Sequence, residues 1–278
     1  MRFSDLYISS PAAIFPGRRF SNEEILGRVR ERFRGSPEEW DRMERMISFV
    51  FAQCGSRFRY LEEEAPFPVA GHAIKAARIC MEISRPLAFD VTNACAGFIS
   101  AAMVFAGMAA LDPLVQRGLV CGAEITVGRL SYDIQRVEEL DRLSAGLTIG
   151  NAAAAMILSR KPLKTGGRVL AGLGETLPEY FDLAHTKVDG VFESESAALF
   201  RLAEKCPEHL HRLLCEVGWK PSDVDFYVFH QPSERMILKV LDYIGADRKR
   251  APLIHRYYGN TASTSAIVSV SPAAATSV

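Results

Sequence analysis

Among its six cysteines (Cys54, Cys80, Cys95, Cys121, Cys206 and Cys215) the sequence has no Cys-x-x-Cys pair, and no HxxxH or Cys/His spacing in it suggests zinc. Zinc binding therefore has no pattern to rest on. A chain of 278 residues is too large to need disulfide staples, so a reducing cytoplasm fits its cysteine usage. Net charge is lacking too. With 33 basic and 33 acidic residues, the chain has no broad field with which to attract nucleic acid. The N-terminus MRFSDLYISSPAAIFPG has no basic stretch followed by an apolar core, and no run is read as reaching the roughly 18 apolar residues of a membrane span. No targeting signal and no membrane partner are expected.

What is present is a 48% apolar composition, enough for one large core or two ordinary domains. Residues 19 to 64 are charge-rich and read as surface helices, with helix starts at Ser21/Glu24 and at Ser36-Pro37. A helix follows near 69 to 82. Pro86 to Val91 reads as a buried strand, and Phe98 to Leu111 as an apolar helix stopped by Asp112-Pro113. Gly118 to Glu124 reads as a strand, and Gly146 to Asn151 as a turn leading into another. The turn-rich stretch after Ser159 places a boundary near 163, giving halves 1–162 and 163–278. In the second half, strands are expected near 168 to 174 and at Val224 to Phe229, and helices at Leu199 to Val217 and Ser233 to Ile244.

Three residues stand where chemistry is done. Cys95 opens an apolar helix, where unpaired amides and the helix dipole favour a thiolate; alternatively it is a small buried hydrophobe. His230 ends an apolar strand before Gln231-Pro232, at the kind of edge where ligands gather, or it is a hydrogen-bonded core histidine. Both stand at the start of a helix, which hints at two halves built from a common αβ unit. Asn260 lies in a small-residue turn able to open a helix, or it is a plain turn residue. A thiol, an imidazole and a carboxamide together suit thioester chemistry: a nucleophile with donors for the substrate oxygen. The other five cysteines read as packing, and His72, His185, His209, His211 and His255 lack comparable settings.

The segments Asp90-Val-Thr-Asn-Ala-Cys-Ala-Gly-Phe, Phe229-His-Gln-Pro-Ser and Gly259-Asn-Thr-Ala-Ser, in this order, resemble β-ketoacyl-acyl carrier protein synthase III and its relatives. Ser56-Arg-Phe-Arg-Tyr resembles a basic motif earlier in that family. The resemblance implies an α/β, thiolase-like five-layered αβαβα fold of two similar halves, pairing as a homodimer. It implies that Cys95 takes an acyl group from a coenzyme A thioester while His230 and Asn260 assist decarboxylation of a malonyl thioester. Coenzyme A or phosphopantetheine thioesters are then substrates, with no permanently bound cofactor. Arg235 matches a position that meets the acyl carrier protein or the phosphopantetheine arm, or it is an ordinary exposed cation.

The sequence departs from this pattern between Arg59 and Cys95, just before Pro66 or Pro86, by about one helix and one central strand. A second departure lies beyond Ser265, where the family continues into a glycine-rich loop, so both halves are expected to be incomplete. Loss of one oxyanion donor costs on the order of a hundredfold in rate. Two alternatives follow: acyl transfer to an oxygen or nitrogen nucleophile without condensation, or an inactive shortened partner that binds a carrier protein or a paralogue. Asn151, where the family often has aspartate, is expected to matter little.

Overall fold

The computed structural model describes residues 2–63, 69–80, 87–124, 131–187 and 190–271. Pro66, Pro86, the side chain of Cys80 and residues 272–278 lie outside that set, as does the expected departure from the family before Pro66 or Pro86.

Residues 1–162 contain, in order, β1 (Tyr7–Ile8), β2 (Ala12–Ile14), β3 (Arg18–Ser21), α1 (Asn22–Arg32), α2 (Pro37–Cys54), β4 (Phe58–Leu61), α3 (Val69–Cys80), α4 (Gly97–Leu111), β5 (Arg117–Glu124), α5 (Leu140–Leu143) and β6 (Ala152–Ser159). Both helix starts in the charged segment are as expected. Ser21 and Glu24, and Ser36 and Glu39, form reciprocal capping boxes, with Pro37 in the first turn of α2. The segment is not all helical, however. β3 and β4 pair antiparallel beside the helices, from Arg18↔Leu61 to Ser21↔Phe58. Arg18 lies over the Phe20 ring at 3.6 Å, and Arg59 is fully buried beside the two inward apolar side chains, Phe20 and Leu61. Those two join Ile25, Val29, Met43, Ile47 and Phe51 in one core.

β6 organises the larger core. On one edge it pairs antiparallel with β5 over eight residues, Arg117↔Ser159 through Glu124↔Ala152. On the other edge it pairs with β1 and β2. Its side chains alternate between two buried faces, as a covered strand must. Ala153 and Ala155 meet Ala76 of α3, while Ala152, Ala154, Met156 and Leu158 meet Phe98, Phe105 and Ala109 of α4. Small residues are needed here because helices close on both sides. The same crowding appears at Gly118, where an added Cβ would lie 2.4 Å from the Phe105 ring.

Residues 163–278 contain β7 (Gly167–Arg168), β8 (Ala184–Thr186), β9 (Phe192–Ser194), α6 (Ser196–Leu202), α7 (Cys206–Val217), α8 (Glu234–Tyr243), α9 (His255–Tyr258) and α10 (Ser265–Ser269). β7 pairs with β1 of the first sheet, and β8 with β9. α10 packs on β6 on the face opposite α3.

Several expectations are corrected. Residues 87–93 form no strand and are largely exposed, Leu87 at 79% and Phe89 at 55%. Residues 224–229 run without a ladder partner: Tyr227 is buried and donates its amide to the Arg250 carbonyl, 2.7 Å, while Phe226 is 70% exposed. In both places an apolar run resembling a central strand lacks described neighbours with which to pair, so periodicity alone misreads it. The strand expected near 168 to 174 is shorter: β7 is followed by the Val169 amide donating to the Leu6 carbonyl, 2.8 Å, the Phe3 amide donating to the Leu170 carbonyl, 2.9 Å, and an isolated antiparallel bridge Arg2↔Ala171. The helix expected from Leu199 to Val217 is divided into α6, a 3-10 turn (Ala203–Lys205) and α7, with Pro207 in the first turn of α7. Pro207 removes a backbone donor there, which favours a fresh start over continuation. α8 is as expected, capped by Ser233.

The segment Ala94–Leu111, comprising the Cys95 turn and α4, is long and apolar enough by length and composition to cross a membrane. This corrects the reading that no run is. Core helices of globular proteins pass the same test, and α4 buries Phe98, Phe105, Ala106 and Ala109 against the sheet while leaving Ile99 and Leu111 exposed.

Candidate active site

Cys95 sits in a 3-10 turn, Ala94–Ala96, that runs directly into α4. Ala94 has a φ of 39°, a left-handed conformation that a residue with a Cβ adopts only when its surroundings hold it. The Ala96 amide donates to the Asn93 carbonyl, 2.9 Å, and Asn93 Nδ2 donates to Ser100 Oγ, 2.8 Å, which fixes the turn. The residue as a whole is exposed, yet its thiol is desolvated. Desolvation first, and the Glu124 carboxylate second, push the Cys95 pKa up against the opposing pull of its own backbone amide. The expectation that its surroundings favour a thiolate is thus corrected: in the resting site Cys95 is held as a thiol.

A second turn of the same kind faces it. Ala262 has a φ of 44° and opens the 3-10 turn Ala262–Thr264, which runs into α10. The two turns pack against each other, and the Cα of Gly97 faces Ser263, with an added Cβ 3.7 Å from the Ser263 side chain. Left-handed alanine, 3-10 turn, helix is therefore the repeated unit, and it relates Cys95 to Ser263. The hint of a shared αβ unit pairs Cys95 with His230; the two turns that share a backbone form are those of Cys95 and Ser263.

Asn260 and His230 are both anchored on Ala262. Asn260 Oδ1 accepts from the Ala262 amide, 2.9 Å, which satisfies the carboxamide oxygen and leaves Nδ2 as the donor. Its backbone is tied to the first half: the Asn260 amide donates to the Thr148 carbonyl, 2.8 Å, and the Gly150 amide donates to the Asn260 carbonyl, 3.0 Å. The crossing is tight. A Cβ at Gly150 would lie 1.9 Å from the Tyr258 carbonyl oxygen, and one at Gly259, whose φ is 70°, would lie 2.4 Å from that of Thr148. Beside it, Asn151 is buried and donates its amide to the Tyr60 carbonyl, 2.7 Å.

His230 Nδ1 lies 3.1 Å from both the Ala262 carbonyl and Ser265 Oγ. Ser265 Oγ itself donates to that carbonyl, 2.6 Å, so its hydrogen is committed and both neighbours accept. Nδ1 must then carry the proton, which leaves Nε2 as a lone pair. His230 is half-buried as a residue, but its ring is desolvated enough to lower its pKa to about 4, against the pull of the Ala262 carbonyl. Behind it His255 is fully buried, its Nδ1 2.9 Å from the Gln231 carbonyl and its pKa also lowered to about 4, chiefly by desolvation.

The structure therefore brings Cys95, His230 and Asn260 to one pair of facing turns. Sequence reasoning missed Ala262, Ser265, Glu124 and His255 around them. Glu124 left a trace, as a lone carboxylate closing an apolar strand; a left-handed alanine leaves none. Arg235 is exposed on α8, donates to Gln53 Oε1 and lies over the Phe200 ring at 5.1 Å. Arg59, in the early basic motif, is fully buried, with bonds to Ser21 O (3.2 Å), Asn22 Oδ1 (2.8 Å) and Ser56 Oγ (2.8 Å). Burial lowers its pKa to about 10. Its work is structural. Of the cysteines expected to pack, Cys121, Cys206 and Cys215 are exposed, while Cys54 is half-buried and its pKa is pushed up to about 11 by desolvation.

The fold is thiolase-like and is shared with solved structures. It superposes on OleA of Xanthomonas campestris with a TM-score of 0.81, at 20% identity, covering 98% of this chain and 90% of that one. With 3-oxoacyl-(acyl carrier protein) synthase III, FabH, of Pseudomonas aeruginosa the TM-score is 0.76 at 19% identity, covering 96% and 88%. The chain thus has an α/β, thiolase-like fold. Residues 89–173 match the family model of 3-oxoacyl-[acyl-carrier-protein] synthase III, and residues 214–277 match the model of its C-terminal part, together more than half of the chain. The chain belongs to the 3-oxoacyl-[acyl-carrier-protein] synthase III family. It is 26% identical over 200 residues to β-ketoacyl-[acyl-carrier-protein] synthase III of Lactococcus lactis, covering 68% of this chain and 60% of that one. A Streptomyces coelicolor relative of the same name is 31% identical over 200 residues, covering 64% and 55%. The chain thus spans about 60% of the length of the curated relatives it matches.

Proposed function

We propose that this chain is a condensing acyltransferase in which Cys95 carries an acyl group taken from a coenzyme A thioester and passes it to a carbanion generated from a malonyl thioester. The observation that carries this reading is the common anchor: His230 Nδ1 and Asn260 Oδ1 bond the carbonyl and the amide of one residue, Ala262, whose turn packs on the turn of Cys95.

The anchor sorts the roles. Because Cys95 rests as a thiol and His230 Nε2 rests as a lone pair, Nε2 takes the thiol proton as sulfur attacks the thioester carbonyl. The imidazolium then returns that proton to the departing coenzyme A sulfur. Asn260 Nδ2 donates to the substrate oxygen on which charge develops. In the second stage the malonyl carboxylate leaves as carbon dioxide, its bonding pair forms the enolate, and the enolate carbon attacks the acyl carbonyl. The Cys95 sulfur departs with the electron pair and takes up a proton from solvent, which restores the resting thiol. Burial near the ring keeps His230 neutral at pH 7, so the Nε2 lone pair is free to accept a proton.

Arg235 and its neighbour Lys239, both over Phe200, form a cationic edge suited to an acidic carrier protein. The exposed apolar residues of α4 and of the segment before it, Ile99, Leu111, Leu87 and Phe89, suit burial in a homodimer through the first half. Incubation with an acyl-coenzyme A should add the acyl mass to the Cys95 peptide and not to that of a Cys95→Ala protein. Carbon dioxide should be released from a malonyl thioester. Acylation without that release would move the reading to plain acyl transfer, and no acylation at all would end it.

A further inference from the structure

The last residue of β5, Glu124, lies outside the three residues that carry the proposed chemistry, yet it bonds Ser263, the residue next to their common anchor. Its Oε1 accepts from the Ser263 amide, 3.3 Å, and from Ser263 Oγ. These bonds join the first half to the second at the residue after the left-handed Ala262. β5 is shaped to admit that turn: a Cβ at Gly122 would lie 3.2 Å from Thr264 Cγ2 and 3.5 Å from Ser263 Oγ. A left-handed alanine persists only when its surroundings fix it, and the Glu124–Ser263 contact adjoins it directly. The same carboxylate is, among the described residues, the charged group that acts on the Cys95 thiol.

We propose that Glu124 is a positioning residue: by clamping Ser263 it holds the Ala262 turn against the Cys95 turn, and through the Ala262 carbonyl and amide it sets the His230 imidazole and the Asn260 carboxamide. The inference rests on the condensing-enzyme reading for its purpose but not for its test. Two properties of Glu124 separate cleanly. As a hydrogen-bond acceptor it orients His230 by way of Ser263 and Ala262. As a charge it opposes ionisation of Cys95.

The test uses the full chain without substrate. Histidine-selective nitrogen NMR, with the His230 signals assigned by His230→Gln, reads the tautomer. Peptide-mapped iodoacetamide labelling reads Cys95 apart from the exposed Cys121, Cys206 and Cys215. In wild type His230 should show the Nδ1–H tautomer. Glu124→Gln keeps an acceptor and loses the charge, so it should leave that tautomer in place while labelling Cys95 about threefold faster at pH 7. Glu124→Ala and Ser263→Ala should both disturb the tautomer. If Glu124→Ala fails to fold, Ser263→Ala against Glu124→Gln decides. The proposal is overturned if Ser263→Ala and any folded Glu124→Ala leave His230 as in wild type, or if Glu124→Gln disturbs it as strongly as they do. A wild-type protein that refuses acyl groups from coenzyme A would count against the proposed function alone, since neither readout involves acylation.

Discussion

Lowering the pH from 7 to 5 should destabilise this protein through two histidines, and the buried one sets the size of the effect. The His255 pKa falls from the ordinary 6.5 to about 4 on folding because its ring is wholly removed from water. Above pH 6.5 the ring is neutral in both states and nothing is lost. As the pH drops, the unfolded chain takes the proton first, so stability declines until about pH 4, below which both states are protonated. Each pH unit in that window is worth about 1.4 kcal/mol, so His255 costs about 2 kcal/mol at pH 5. His230 shifts in the same direction but is only half-buried as a residue, which reduces its share to about 1 kcal/mol. A combined loss of about 3 kcal/mol corresponds to a fall in Tm of roughly 6–10 °C for a chain of this size. Carboxylates stabilised in the fold, such as Glu24, Glu139 and Asp242, have pKa values lowered from already acidic values and contribute mainly below pH 5. Urea unfolding at pH 7.5, 6.5, 5.5 and 5.0 measures the slope. His255→Gln, whose side chain can still donate to the Gln231 carbonyl, should remove more than half of it. Stability that stays level from pH 7 to 5, or a slope unchanged by His255→Gln, would refute the burial argument.

Gly150→Ala places a Cβ 1.9 Å from the Tyr258 carbonyl oxygen, a backbone clash with no side chain to yield. It should cost at least about 1–3 kcal/mol in urea unfolding and, by displacing the Asn260 strand contact, slow Cys95 acylation. Gly27→Ala in α1, with nothing within 4 Å of the new atom, is the control and should gain up to about 1 kcal/mol. Arg59→Met strips three bonds from Ser21, Asn22 and Ser56 in a fully buried place. A loss of about 2–4 kcal/mol is expected, and a variant as stable as wild type would show that the guanidinium is dispensable.

Where the sequence was legible, a single side chain or a strong period declared the structure. Ser21/Glu24 and Ser36/Glu39 mark helix starts by their own hydrogen bonds, and the alanines of β6 announce a strand pressed by helices on both faces. Residues 87–91 and 224–229 misled because strand character depends on neighbours with which to pair, and an apolar run does not reveal whether they are present. At the site, Cys95, His230 and Asn260 were legible as residue types suited to one chemistry. Their meeting point was not, because Ala262 does its work with backbone atoms that every residue possesses. The resting state of Cys95 was misread for a related reason: helix position favours a thiolate, but desolvation and the Glu124 charge, both set by tertiary packing, win.

The most direct measurement is rapid-quench mass spectrometry of the Cys95 peptide after mixing the protein with an acyl-coenzyme A at pH 7, in wild type and in His230→Gln. Wild type should carry the acyl group on Cys95. His230→Gln should acylate at least about a hundredfold more slowly and recover as the pH is raised and the thiol ionises unaided. A folded wild-type protein with no acyl mass on Cys95, or a His230→Gln protein that acylates as fast as wild type, would contradict the claim that the Ala262 turn brings a proton acceptor to a resting thiol.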